Sequence, residues 1–75
     1  NQKKESRGWT IEVMKILDKI PAKEFKLSDV YIFEQYLKQK FPNNNFIKDK
    51  IRQQLQVLRD KGLLHFKGNG IYKKV

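Results

Sequence analysis

The sequence has no cysteine and few residues that interrupt helices or strands, with two prolines and four glycines among its 75 residues. The absence of cysteine excludes a disulfide framework and a thiolate zinc site as supports for the fold. There is no signal peptide and no apolar run long enough to cross a bilayer, so we expect a cytoplasmic chain. His65 is the only histidine and has no second histidine as a partner, so we expect no metal site and no cofactor.

Acidic residues are also scarce, with eight Asp and Glu against 17 Lys and Arg and a formal net charge of +9. The excess is uneven: residues 1–7 contribute +2, residues 8–47 contribute +1 and residues 48–75 contribute +6. Surface charge that only keeps a small protein soluble would be spread more evenly. The uneven charge points to a polyanionic partner, with nucleic acid ahead of an anionic membrane.

The length and composition indicate one folded domain, since 39% of the residues are hydrophobic and 12% are aromatic. Residues 1–8 contain no apolar side chain and are interpreted as a linker or domain boundary, which leaves residues 9–75 as the domain. We expect a monomer, and a fragment of a longer protein.

Apolar spacing predicts a helix over Trp9–Ile20, with Thr10 as its cap and Trp9 as a core anchor. Alternation over Glu24–Leu27 predicts a brief half-buried strand. A second helix begins at a Ser28 cap, runs without interruption to Phe41 and ends before a proline.

The stretch Asn44–Lys61 predicts a third helix that is strongly two-sided. Its apolar positions recur on one helical face and need a core to rest on; they are Ile47, Ile51, Leu55 and Leu58. The opposite face carries Asp49, Gln53, Gln56 and Asp60. An asparagine before the helix is a possible cap, and Gly62 ends it. Long polar side chains on an exposed helix suit the edges of bases, so we interpret it as a recognition helix.

Two strands, Leu63–Phe66 and Tyr72–Val75, are predicted after Gly62. A two-residue turn would place Phe66 opposite Ile71, whereas a three-residue loop over residues 68–70 places it opposite Tyr72. We prefer the second pairing because it buries both aromatic rings together. The resulting order is helix, short strand, helix, helix and hairpin, which is the α+β architecture of a winged helix-turn-helix domain.

The sequence resembles the C-terminal winged-helix domain of DpnI-type, Dam-replacing restriction endonucleases. The residues that carry the resemblance are 6–12, Glu24, Phe25, Leu27, Tyr31, Phe33, Glu34, Asn44, Asn45, 50–56, 58–61, 66–68, Gly70, Tyr72 and Lys74. This resemblance implies a module that reads N6-methyladenine, typically in a GATC context, and that is not itself an enzyme. It also implies two partners, adenine-methylated double-stranded DNA and an upstream nuclease domain, with no membrane partner.

The candidate base-reading residues are Phe46, Asp49, Lys50, Arg52, Gln53 and Gln56. Arg52 and Gln53 come first because the N-terminal half of a recognition helix enters the major groove. The N6-methyl group points toward N7 and blocks the bidentate grip of an amide on adenine, so a reader needs apolar stems or a ring there. The four candidates for this methyl contact are the stems of Lys50, Gln53 and Gln56 and the ring of Phe46. The alternatives are a solvated helix face with an Asp49–Gln53 pair, and a turn-fixing role for Phe46.

The candidate phosphate-binding residues are Asn44, Asn45, Lys48, Lys67, Asn69, Lys73 and Lys74, at the start of the third helix and on the wing. For any one lysine, ordinary surface charge is an equal alternative. Two other functions stay open, a winged-helix transcription regulator and a protein-interaction domain without methyl specificity.

Overall fold

The computed structural model describes residues 2–75, with side chains described from Gly8 onward. Within that range the elements are α1 (Gln2–Lys19), β1 (Glu24–Lys26), α2 (Leu27–Tyr31), α3 (Glu34–Lys40), α4 (Ile47–Asp60), β2 (Leu64–Gly68) and β3 (Ile71–Lys74). This is the predicted order for a winged helix-turn-helix domain, except that the predicted second helix is divided in two. No helix within residues 2–75 is long and apolar enough to cross a membrane.

The first helix starts seven residues earlier than its apolar pattern indicates. Because α1 begins at Gln2, Thr10 lies inside the helix, and the predicted Thr10 cap was wrong. The Thr10 hydroxyl instead donates to the side-chain carbonyl of Gln54, the one buried polar residue of α4. The role of residues 1–8 as a domain boundary stays a prediction.

Trp9 confirms its predicted place in the core. Its side chain is fully buried, and its ring stacks on Phe41 with centroids 4.3 Å apart and planes inclined by 15°. This contact ties α1 to the segment that follows α3.

The predicted second helix is broken between α2 and α3, at residues 32–33. The amide of Phe33 donates to the carbonyl of Val30, three residues back, so the last turn of α2 tightens and does not continue. A run of β-branched and aromatic residues, from Val30 to Phe33, favours this break because such side chains have low helix propensity. The predicted Ser28 cap was also wrong: Lys26 precedes the helix, and its amide donates to the Asp29 carboxylate at 2.9 Å.

The three strands form one antiparallel sheet in the order β1-β3-β2, so β3 is central. Phe66 lies opposite Tyr72, which confirms the preferred pairing. The predicted three-residue loop over residues 68–70 was wrong, since Gly68 belongs to β2 and pairs with Ile71. The hairpin turns at Asn69 and Gly70, which both have positive φ (54° and 73°), and a register shift between Phe66 and Gly68 restores the Phe66–Tyr72 pairing. The expected burial of both rings was only half right, since Phe66 is 45% exposed beside the half-buried Tyr72.

The core lies between the four helices and the inner face of the sheet. It consists of Trp9, Val13, Ile16, Leu17, Phe25, Val30, Leu37, Ile47, Ile51, Leu55, Leu58 and Leu64. All four apolar positions predicted for the third helix are among these residues, so that assignment was confirmed. Gly62, with φ +80°, follows α4 and ends it as predicted. The helix therefore presents its other side to solvent.

Candidate nucleic-acid interface

The exposed side of α4 carries most of the candidate base-reading residues. Asp49, Arg52, Gln53 and Gln56 are exposed on it, and Lys50 is half-buried. Phe46 immediately precedes the helix with 69% of its surface exposed, which is unusual for a phenylalanine that only fixes a turn. The buried seam of the helix holds this surface in place, because every core residue of α4 faces away from it.

The turn before α4 is built by the asparagines and a lysine. The Asn44 side-chain oxygen accepts the Phe46 amide at 2.7 Å, so the predicted asparagine cap acts on the turn and not on the helix itself. The Lys38 ammonium donates to the carbonyls of Pro42 and Asn44, at 3.0 and 2.8 Å, and to the Asn45 side-chain oxygen at 3.3 Å. Both asparagine oxygens are thus engaged in the turn, and their proposed phosphate contacts would use the amide nitrogens.

A shallow cleft opens at the exposed end of this turn. Its lining comes from Asn44, Phe46, Asp49, Lys50 and Gln53. A phenyl ring and the aliphatic stems of the lysine and glutamine meet here, beside amide and carboxylate groups. Three of the four candidates for a methyl contact therefore lie together.

Gln56, the fourth candidate for a methyl contact, lies apart from this cleft. It bonds to Asp60 one turn further along, at 3.1 Å.

Arg52 is held by two partners. Its Nη1 donates to the Tyr31 hydroxyl at 3.0 Å, and its Nη2 donates to the Asp49 carboxylate. The hydrogen bond with Tyr31 and the tyrosine's charge are the main causes that raise the pKa of Arg52. Asp49 pairs with this arginine, whereas the sequence had offered Gln53 as its intrahelical partner. The guanidinium therefore has a fixed position next to the cleft.

The wing brings Lys67 and Lys73 to the outer face of the sheet. Lys73 lies between Glu24 and His65 in the register of the three strands. The Lys67 ammonium reaches Glu24 at 2.8 Å and, through that hydrogen bond, lowers the pKa of the carboxyl. Since both side chains are about half exposed, water screens this pair and it contributes little to stability.

The tip of the wing is short and rests on α2. The Leu27 amide donates to the Gly70 carbonyl at 2.8 Å, next to the exposed Asn69. The predicted phosphate contact of Asn69 therefore sits close to the start of α2.

Lys74 does not join this surface. Its ammonium donates to the carbonyl of Leu17 at 2.7 Å and to that of Ile20, at the C-terminal end of α1. It lies on the inner face of the sheet, since neighbouring residues of a strand point to opposite sides. The structure thus gives Lys74 a helix-capping contact that the sequence prediction had not considered.

The sequence prediction missed three residues of this region, which are Tyr31, Arg59 and Phe66. The Arg59 guanidinium lies over the Phe66 ring, 5.7 Å from its centroid, and the Lys48 ammonium lies 5.2 Å from the centroid of the Tyr31 ring. Lys48, Arg52 and Arg59 form a basic stripe along α4, and their contacts include Tyr31 and Phe66, from α2 and the wing. The seven-residue interval between the two arginines was the available signal, because it places them on the same side of a helix.

These elements define a winged helix-turn-helix domain whose α4 occupies the position of the recognition helix. A model of the Dam-replacing HTH domain family, DpnI_C, matches residues 5–74. The chain belongs to this family, which is a family of helix-turn-helix DNA-binding domains.

Proposed function

We propose that this domain reads N6-methyladenine in double-stranded DNA, at a GATC-type site, as the recognition module of a methyl-directed restriction endonuclease. Membership of the Dam-replacing HTH family carries this proposal. The exposed side of α4 enters the major groove, while the wing and the start of α4 lie on the phosphate backbone.

The cleft at the start of α4 supplies the chemistry that methyl reading needs. A methyl group on N6 occupies the space beside N7, so an amide cannot grip this adenine through both atoms. Phe46 and the stems of Lys50 and Gln53 offer apolar surface to the methyl group instead. Arg52 lies next to them and donates to O6 and N7 of a neighbouring guanine.

Binding to matched duplexes tests the proposal. The wild-type domain is titrated against one duplex with and without adenine methylation, and against a third in which the guanine is replaced. We expect the methylated duplex to bind most tightly at physiological salt. Equal affinity for the first two duplexes would refute methyl reading and leave a general DNA-binding domain.

Two substitutions separate the proposed roles. Gln53→Ala should narrow the difference between methylated and unmethylated duplex, because it removes one wall of the cleft. Arg52→Ala should weaken binding to the cognate site by about tenfold to a hundredfold and relax the preference for guanine. If both variants lose affinity equally on every duplex, these side chains do not read bases.

A second function, docking of another protein, is favoured by one observation. Met14, Leu63 and Val75 are each more than 40% exposed, and with Leu17 they line an apolar groove beside α1. An exposed apolar surface of this kind is typical of a protein-binding site. It adjoins the buried Leu58, so it lies away from the exposed side of α4, and both functions could operate in one domain.

A further inference from the structure

The guanidinium of Arg52 is oriented by a side chain from outside the recognition helix. Tyr31 is the last residue of α2, 21 positions before Arg52 in the sequence, and its hydroxyl lies 3.0 Å from Nη1. On the other side of the guanidinium, Nη2 donates a hydrogen bond to the Asp49 carboxylate. A surface arginine without such partners samples many rotamers, whereas this one has both terminal nitrogens engaged.

The remaining hydrogens match what a guanine accepts. Arginine has five N–H donors, two on each terminal nitrogen and one on Nε. One hydrogen on Nη1 goes to Tyr31 and one on Nη2 goes to Asp49, so one remains on each terminal nitrogen. O6 and N7 of guanine are two acceptors side by side. The two partners therefore constrain the fork and leave three of its five hydrogens, one on each terminal nitrogen and one on Nε, for a guanine.

The position of the Tyr31 ring does not depend on its hydroxyl. Lys48 lies over the ring, and Tyr31 also packs against the hydrophobic core. Loss of the hydroxyl alone therefore leaves the ring in place and releases one side of the Arg52 fork. Asp49 by itself restrains the fork poorly, because it is an exposed residue one turn away on the same helix.

We infer that Tyr31 is a positioning residue for base recognition, which holds the Arg52 guanidinium in the orientation that reads guanine. This inference rests on the proposed base contact of Arg52. It places a determinant of sequence specificity on α2, outside the recognition helix. Fixing the donor before binding also lowers the entropy that is lost when the complex forms.

Tyr31→Phe is the test, with Tyr36→Phe as its matched control. The control removes a tyrosine hydroxyl that also makes a side-chain hydrogen bond, but this bond joins α3 to Glu12 of α1, at 2.7 Å, and involves no residue of α4. Affinities are measured for the cognate duplex and for one in which the guanine is replaced. We expect Tyr31→Phe to reduce discrimination between them by about two- to tenfold, the factor that one hydrogen bond supplies. The control should keep the wild-type ratio.

The readout separates positioning from two other roles. If the Tyr31 hydroxyl contacts a phosphate, Tyr31→Phe should weaken binding to both duplexes by the same factor. If its role is purely structural, Tyr31→Phe should lower the melting temperature and leave the ratio of the two affinities unchanged. Either result overturns the inference. In the Arg52→Ala background, Tyr31→Phe should have no further effect on the ratio, which supports the coupling. If Arg52→Ala itself leaves discrimination intact, the base contact has failed and the inference fails with it. If Arg52→Ala reduces discrimination but Tyr31→Phe leaves it unchanged, the base contact stands and the positioning role is wrong.

Discussion

Lys73 and Lys74 are neighbours in the sequence, but their side chains lie on opposite faces of the sheet. Lys73 lies on the outer face of the central strand, between Glu24 and His65. Lys74 points inward and donates to two carbonyls, of Leu17 and Ile20, where α1 ends. We predict that Lys73→Met affects only DNA binding and that Lys74→Met mainly affects stability.

The stability that Lys74→Met should lose follows from the two carbonyls that the lysine contacts. A methionine keeps the aliphatic stem but leaves two helix-end carbonyls without their charged donor. Hydrogen bonds to a charged group and the favourable site at a helix C-terminus together predict a loss of about 1–2 kcal/mol in a half-buried position. For a domain of this size, that loss lowers the melting temperature by roughly 4–15 °C.

The effect of Lys73→Met on the salt dependence of DNA binding follows from counterion release. One lost phosphate contact lowers the slope of log affinity against log salt by about 0.9. Thermal unfolding and a salt series of binding curves therefore distinguish the two variants. The reasoning is refuted if Lys74→Met flattens the salt dependence as much as Lys73→Met does while its melting temperature is unchanged.

Three further variants test the contacts of the fold and the wing. Tyr36 lowers the pKa of Glu12 and has its own pKa raised in return, so their contact stabilises the fold between about pH 4.5 and 10. In denaturant titrations, the free energy of unfolding of Tyr36→Phe should therefore fall less steeply than that of the wild type as the pH drops below 4.5 or rises above 10. Thr10→Val should cost about 1–3 kcal/mol by leaving the buried Gln54 oxygen without its hydroxyl donor, whereas adding Gln54→Leu should restore much of it. Glu24→Gln should raise DNA affinity by roughly two- to fivefold in binding titrations, because it frees the paired wing lysine and removes a charge that repels phosphate.

Most of the fold was predictable from the spacing of apolar residues. The seam of α4 has the helical period, and each of its members is buried. The pairing of Phe66 with Tyr72 followed from placing both aromatic rings on one face of the hairpin, although a two-residue turn with a register shift produces it and not a three-residue loop. These features are local, or they depend on a hairpin whose strands are close in the sequence.

The errors arose where a distant partner decides the outcome. Ser28 and Thr10 are residue types that often cap helices, but an aspartate and an earlier helix start replaced them. The contacts of Tyr31 with Arg52 and of Lys74 with α1 join residues 21 and 54 or more positions apart. A periodic pattern has no information on such pairs, because it describes one element at a time.

The same contacts limit how much of the net charge is available for DNA. Residues 48–75 contain eight basic residues, which would give a salt slope of magnitude about 7 if each met a phosphate. Lys74 is engaged with carbonyls, and Arg52 is proposed to read a base.

Five cations of residues 48–75 have no side-chain hydrogen bond or ion pair in the part of the chain that the structure describes: Lys48, Lys50, Arg59, Lys61 and Lys73. They would give a slope of about 4.5, and about 5.4 if Lys67 leaves Glu24 for a phosphate. We therefore expect a slope near 4.5 for the wild-type domain, rising by about 0.9 when Glu24→Gln releases the lysine. A measured slope near 7 would show that Lys74 and Arg52 leave their present partners on binding and that all eight basic residues meet phosphates.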